Sequence, residues 1–339
     1  MNPALIATLP KPARYFPLEK GVYEVAPGLR TLGTDFGNGT ADSRLFQLDT
    51  DYAKYRENRL ASRAERLGKY VVTRDFRPEV EKEAVEFLIR KLTAEYPELF
   101  ILTTQAGGNR ALECRLTEET LVTDSNGNLV STKSAVTPPY ASAYDALCSQ
   151  LQEDIAILAT EKQSDGSTRD WLAALSLCSP SHWAAEDKIG KTFFAIHEPI
   201  PGIEKINRAA AGFVDAMVNK GPYVRFVWGF GTDDRLNHHP IAPSGWDPKD
   251  WSGRSFDRNR PGSPFILRVE RQVLHGLPAV GAGLFAIRVS FIEGTLIRKN
   301  PRDRDLLKSA LLSMNPASRG YKGLEGHLEE VLKWLDESP

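Results

Sequence analysis

The stretch FILRVERQVLHGLPAVGAGLFAIRVSFI, residues 265–292, decides the fold class. In FILRVERQV, Phe265, Leu267, Val269 and Arg271 point one way, while Ile266, Arg268, Glu270 and Gln272 point the other. In LFAIRVSFI, Phe285, Ile287, Val289 and Phe291 alternate in the same manner with Leu284, Ala286, Arg288 and Ser290. The connection between them holds Leu277, Pro278 and Gly281, so the two strands pair antiparallel.

Working outward, helical and strand patterns mix without a regular βαβ rhythm, which predicts an α+β protein. A helix is expected in RPEVEKEAVEFLIRKLTAEYP, where Val80, Ala84, Val85, Leu88 and Leu92 keep the helical period and Pro97 ends it. A second is expected over residues 203–221, with Ile203, Ile206, Ala210, Phe213, Val214 and Met217 on one face. Shorter helices are read at 141–152 and 324–336, and strands at DIAILAT and YVRFVWGFG, with a tight turn at Asp124–Leu129. Residues 1–60 are rich in Pro, Gly and Asp and read as an extended arm. Residues 237–264 hold Trp246 and Trp251 in a Pro- and Gly-rich setting, which marks a long loop or lid. The whole is expected to form one domain.

Composition removes several classes of function. At 339 residues, 41% hydrophobic and 26% charged, the chain has ample material for a core. A formal net charge of -1 argues against a general nucleic-acid binder. Cys114, Cys148 and Cys178 are far apart and form no CxxC pair, so neither a disulfide framework nor a thiolate zinc site is indicated. No apolar run is long enough to span a bilayer, and MNPALIATLPKPARYF lacks the pattern of a secretory signal. The expectation is a cytoplasmic protein with no membrane or nucleic-acid partner. Walker A, GxGxxG, GxSxG and HExxH motifs are absent from the sequence.

Two constellations remain. In EDKIGKTFFAIHEPIPG, residues 186–202, the side chains of Ile189, Phe193, Ile196 and His197 fall on one helical face. Pro199 ends the helix near His197, placing the imidazole in a last turn on the buried stripe. Burial favours the neutral ring with a free lone pair, the form a haem iron takes as its axial ligand. A core histidine bonded to a backbone carbonyl, or one held by the helix C-terminal dipole, satisfies the same pattern. His182, in PSHW, is the second candidate ligand, and the adjacent pair His238–His239 reads as part of a polar loop. The other constellation is the charged strand: Arg268, Glu270 and Gln272 share a face that Arg288 could join, and Arg225 lies on an otherwise apolar strand. These are either solvated cross-strand pairs or the polar floor of a ligand site.

Taken together, KIGKTFFAIHEPIPG, VRFVWGFGTDD, ILRVERQVLHGLPAVGAGLFAIRVSF and YKGLEGHLEEVLKWL resemble the haem-dependent oxidative N-demethylase alpha-subunit-like proteins. The resemblance implies a PAS-like α+β domain with an antiparallel sheet and packed helices, binding haem b. It makes His197 the proximal ligand, and it sets Arg225 and the run Arg268, Glu270, Arg271 and Gln272, with Arg288, at propionate or substrate contacts. Glu270 or an arginine such as Arg268 would serve catalysis beside the iron. The implied reaction reduces the haem, binds O2 opposite His197 and oxidises an N-methyl group of a small amine, releasing formaldehyde. Electrons would come from a separate reductase protein. A haem-binding sensor without turnover, or a haem-free binding protein on the same scaffold, are the alternatives. The sequence departs from the family at VRFVWGF, where Val227 replaces the Asn expected before Trp228, so polar contacts there and the substrate stay open.

Overall fold

A computed structural model describes residues 1–337 of the chain. Its strands are β1 (Arg30–Thr31), β2 (Val71–Thr73), β3 (Phe100–Thr104), β4 (Arg110–Cys114), β5 (Glu119–Thr123), β6 (Leu129–Lys133), β7 (Asp154–Lys162), β8 (Thr168–Ser176), β9 (Tyr223–Gly231), β10 (Ile266–Leu277) and β11 (Ala282–Glu293). They form a seven-stranded sheet in the order β1-β9-β10-β11-β7-β8-β2 and a four-stranded sheet in the order β3-β4-β5-β6. Each pairing is antiparallel, and helices pack on the sheets, so the class is α+β.

The β10–β11 hairpin is the centre of the larger sheet. Its register runs from Ile266 opposite Glu293 to Leu277 opposite Ala282, and Gly281 closes the turn with a positive φ of 60°. One face of the hairpin presents Val273, Leu284 and Ala286 to a core that also takes the helix Pro78–Glu95 through Val85, Leu88 and Leu92. The opposite face is covered near the turn by the helix Ala210–Asn219. Gly276 and Gly283 stand opposite each other there, and a Cβ on either would collide with the carbonyl oxygen of Val218 or Met217. Two glycines in register are what let a helix lie directly on this sheet.

Three expectations change in detail. The segment 186–202 is not one helix: Gly190, at φ 78°, separates a turn at Ala185–Lys188 from a five-residue helix, Phe193–His197, capped by Thr192. The 203–221 helix is split at Ala209 into Glu204–Arg208 and Ala210–Asn219. The irregular N-terminal region ends at residue 51, because Tyr52–Arg66 is a helix. Within that region, β1 pairs with β9, Asn2 N–H donates to the Leu116 carbonyl, and Tyr23 N–H donates to Ser313 Oγ. The turn at Asp124 forms as expected, its carboxylate accepting from the N–H groups of Asn126 and Asn128. Near the C-terminus the helix is Leu328–Asp336. No helix among the described residues is long and apolar enough to cross a membrane.

Candidate functional site

Residues paired across neighbouring antiparallel strands project to the same face, so the register sorts the candidate side chains. Arg225 stands opposite Gln272, Val227 opposite Glu270, and Gly229 opposite Arg268. All lie on the face that the helix Ala210–Asn219 covers. Arg271 stands between Phe226 and Arg288, on the other face. The expectation that Arg288 joins the Arg268–Glu270–Gln272 face is therefore corrected. The four residues 278–281 set a register in which Arg288 meets Arg271, and a one-residue difference in pairing reverses every side chain.

His197 belongs to the helical layer over the first face. Phe193, which opens its short helix, stacks on Phe213 of the Ala210–Asn219 helix at 4.9 Å and meets the His197 ring at a tilt, 4.2 Å between centres. His197 Nδ1 lies 2.7 Å from the Phe193 carbonyl oxygen. A carbonyl only accepts, so the proton sits on Nδ1 and the lone pair on Nε2. Burial pushes the imidazole down to about 4, against the pull of that hydrogen bond, and the positive charge of Arg225 adds to the depression. The ring is neutral at pH 7 and presents Nε2 as a donor atom.

The polar strip opposite holds Glu270 between two neighbours: Arg268 Nε donates to one carboxylate oxygen at 3.4 Å and Gln272 Nε2 to the other at 3.1 Å. Arg268 is otherwise committed, with Nη1 donating to the Leu236 carbonyl at 3.0 Å and Nη2 to that of Ser179. It fastens the long loop to the sheet. Arg225 donates to the Ala26 carbonyl at 3.1 Å, and loss of solvent pushes its guanidinium down to about 10, with Glu270 opposing. Val227 is half-buried in the same strip, opposite Glu270, so the departure from the family pattern lies inside the site.

His182 lies close by. Its backbone sits in the left-handed region at φ 63°, its Nε2 donates to the Ser252 carbonyl at 2.8 Å, and its buried Nδ1 has no partner. The ring stacks on His238 at 5.4 Å, and burial together with Arg254 holds it down near 3. His238 and His239 part ways, the first to Asp233 at 3.0 Å and the second to Glu186 at 3.4 Å. Among the described residues no group of three or more His, Cys, Asp or Glu side chains is arranged for a bare metal ion. The long loop is packed rather than loose: Trp251 is buried and donates to the His239 carbonyl at 2.7 Å, with Arg235 against both Trp246 and Trp251. Cys114, Cys148 and Cys178 are buried free thiols.

A cavity of about 590 Å³ opens elsewhere, where β7 has stopped pairing with β11 beyond Ile287. Tyr15, Asp49, Tyr55, Arg271, Arg288 and Ser290 line it. Arg288 is paired there with Asp49 at 2.5 Å, and Arg271 donates to the carbonyls of Arg44 and Leu45. The candidate residues thus divide into two places. His197, Arg225, Arg268, Glu270 and Gln272 share one side of the sheet; Arg271 and Arg288 serve the other.

Sequence reasoning missed two cations near the Glu270 strip, Arg254 and Lys322. Lys322 lies in YKGLEG, where a lone lysine after a tyrosine gives no periodic signal. A family model described as haem-dependent oxidative N-demethylase, alpha subunit-like, matches residues 38–332 of this chain.

Proposed function

The chain belongs to that family, and from this premise we propose a haem b-dependent oxidoreductase that oxidises an N-methyl group of a small methylated amine. The observation that carries the reading is His197. Its Nδ1 proton is tied to the Phe193 carbonyl and its Nε2 lone pair is left for a ligand, the tautomer in which a histidine would hold an iron. The donor chemistry fits the group: one neutral imidazole faces a strip whose buried Nε of Arg225 has no partner. His197 would hold the iron, and Arg225 the acidic edge of the porphyrin.

A PAS-like assignment is supported by chain order. Numbered along the chain, the five strands β7 to β11 lie in the spatial order second, first, fifth, fourth, third, and the helical layer with His197 falls between the second and third.

When bound, the haem supplies O2 activation, using two electrons from a separate reductase protein, so that one N-methyl group leaves as formaldehyde. The chain's own residues bind and orient. The conjugate acid of a small amine carries positive charge at neutral pH, and Glu270 is the carboxylate of the strip. Its oxygens are aligned by Arg268 and Gln272, leaving lone pairs to accept an N–H and to take the amine proton. Val227 presents an apolar surface for the N-methyl groups.

The test is an absorption spectrum after haem reconstitution. Wild type is expected to give a Soret band that candidate amines perturb, and His197→Ala to lose most of its haem. Unchanged haem content and spectrum in His197→Ala would remove that histidine from the reading and turn attention to His182. Formaldehyde release driven by a supplied reductase then separates an enzyme from a module that binds haem without turnover.

A further inference from the structure

Three cations beside the Glu270 strip have no carboxylate of their own. Arg225, on β9, makes a single side-chain hydrogen bond, to the Ala26 carbonyl, and its buried Nε has no partner. Arg254, from the long loop, makes one, to the Tyr321 carbonyl at 3.1 Å, and its Nε is likewise buried and unpartnered. Lys322, between the last two helices, is buried; its ammonium donates to the Trp228 carbonyl and lies 5.7 to 5.8 Å from the ring centres of Tyr23, Trp228 and Tyr321. Among the described residues none of the three enters an ion pair. The acid that Arg225 and Lys322 share at longer range is Glu270, already engaged by Arg268 and Gln272.

Three separate elements therefore bring buried or half-buried positive charge to one place, and the Glu270 carboxylate of the strip is balanced by Arg268. Buried cations without partners are unfavourable, and aromatic faces offset the loss of water only in part. The arrangement is held in place. Gly323, at φ 74°, lets the Arg254 side chain lie against the backbone next to Lys322, and a Cβ there would meet Arg254 at 2.7 Å. Burial, with Arg254 and Arg225 nearby, pushes the Lys322 ammonium down to about 8 against the pull of Glu270, so a bound anion would restore its ordinary basicity. The same cations would repel a positively charged amine at Glu270 unless an anion neutralises them.

We propose that Arg225, Arg254 and Lys322 form a dianion subsite taking the two carboxylates of the porphyrin held by His197, with the long loop and the C-terminal helices closing its acidic edge. This rests on the haem reading above. The probes are haem and haem dimethyl ester, the same macrocycle without carboxylate charge, titrated into purified protein and followed by the Soret band. Wild type is expected to prefer haem over the ester by about tenfold or more, and Arg254→Met/Lys322→Met to narrow that preference to about twofold while leaving the ester's affinity unchanged. Lys322→Arg retains the preference, and unfolding curves of the variants confirm that the fold is intact.

A wild-type protein that binds both forms equally, or a double variant that keeps the full preference, overturns the assignment alone. No Soret band with either form overturns the haem reading and this assignment with it. Inorganic phosphate is the third arm. Phosphate bound by wild type and lost in the double variant, with no preference for haem over its ester, would show that the subsite serves a phosphate instead.

Discussion

At His197 one backbone carbonyl decides the chemistry of the ring. The Phe193 oxygen fixes the proton on Nδ1, and burial keeps a second proton off Nε2 down to about pH 4. His182 is held neutral further still, to about 3, by burial and the charge of Arg254. Both folded values lie below the ordinary histidine value of 6.5. Above that value both states are neutral and neither ring affects the pH dependence of stability. As pH falls below it, the unfolded chain takes up protons that the folded one refuses, so stability is lost from 6.5 down to about 4 for His197 and about 3 for His182. Glu153, pushed up to about 7 by burial, runs the other way across part of this range, so variants must be compared with the parent. Urea unfolding at pH 7 and pH 5 should show His182→Gln/His197→Gln losing clearly less stability on acidification than wild type. Equal losses would mean that the rings charge freely in the folded protein.

At the scale of the element, the helix Tyr52–Arg66 shows where sequence reading stops. Its buried face is Tyr52, Tyr55, Arg56, Arg59, Ser62 and Arg63, a regular helical stripe built largely from arginine. Arg56 pairs with Glu119 at 2.6 Å, Arg59 with Asp154 at 3.3 Å and Arg63 with Asp145 at 2.6 Å. A search for apolar periodicity passes over such a stripe, because the partners that make these arginines suitable for burial lie some 60 to 100 residues away. The helix Pro78–Glu95 and the β10–β11 hairpin were legible for the opposite reason: their buried faces are apolar, and the pattern is complete within each segment. Arg63→Met strips the fully buried Asp145 carboxyl of its cation, and should cost about 3–5 kcal/mol in chemical denaturation. Adding Asp145→Asn should recover a good part of that. A single variant within about 0.5 kcal/mol of wild type would show that the pair is not the fastening it resembles.

Over the whole molecule, the seven-stranded sheet is a wall between two candidate binding places, and strand parity assigns each arginine to a side. The alternation within each strand is readable from sequence; the relation between strands is not, since it depends on the turn at 278–281, which sets Arg288 beside Arg271. Glu270 and Gln272 share the side of His197, while the 590 Å³ cavity with Arg271 and Arg288 lies across the wall. A ligand bound to His197 must slow hydrogen exchange on one side only. Haem is expected to protect the helices over residues 193–219 and the β9 amides from 225 to 229, about tenfold or more with haem well above its Kd. Residues 45–55 and the β11 end from 288 to 293, beside the cavity, should exchange as before, and β3 to β6 serve as an internal control in the smaller sheet. Protection confined to the β11 end would move the ligand to the Arg271–Arg288 side and leave His197 a core histidine bonded to its carbonyl. Protection on the helical side would tie the imidazole, the Glu270 strip and the three unpaired cations to one bound molecule.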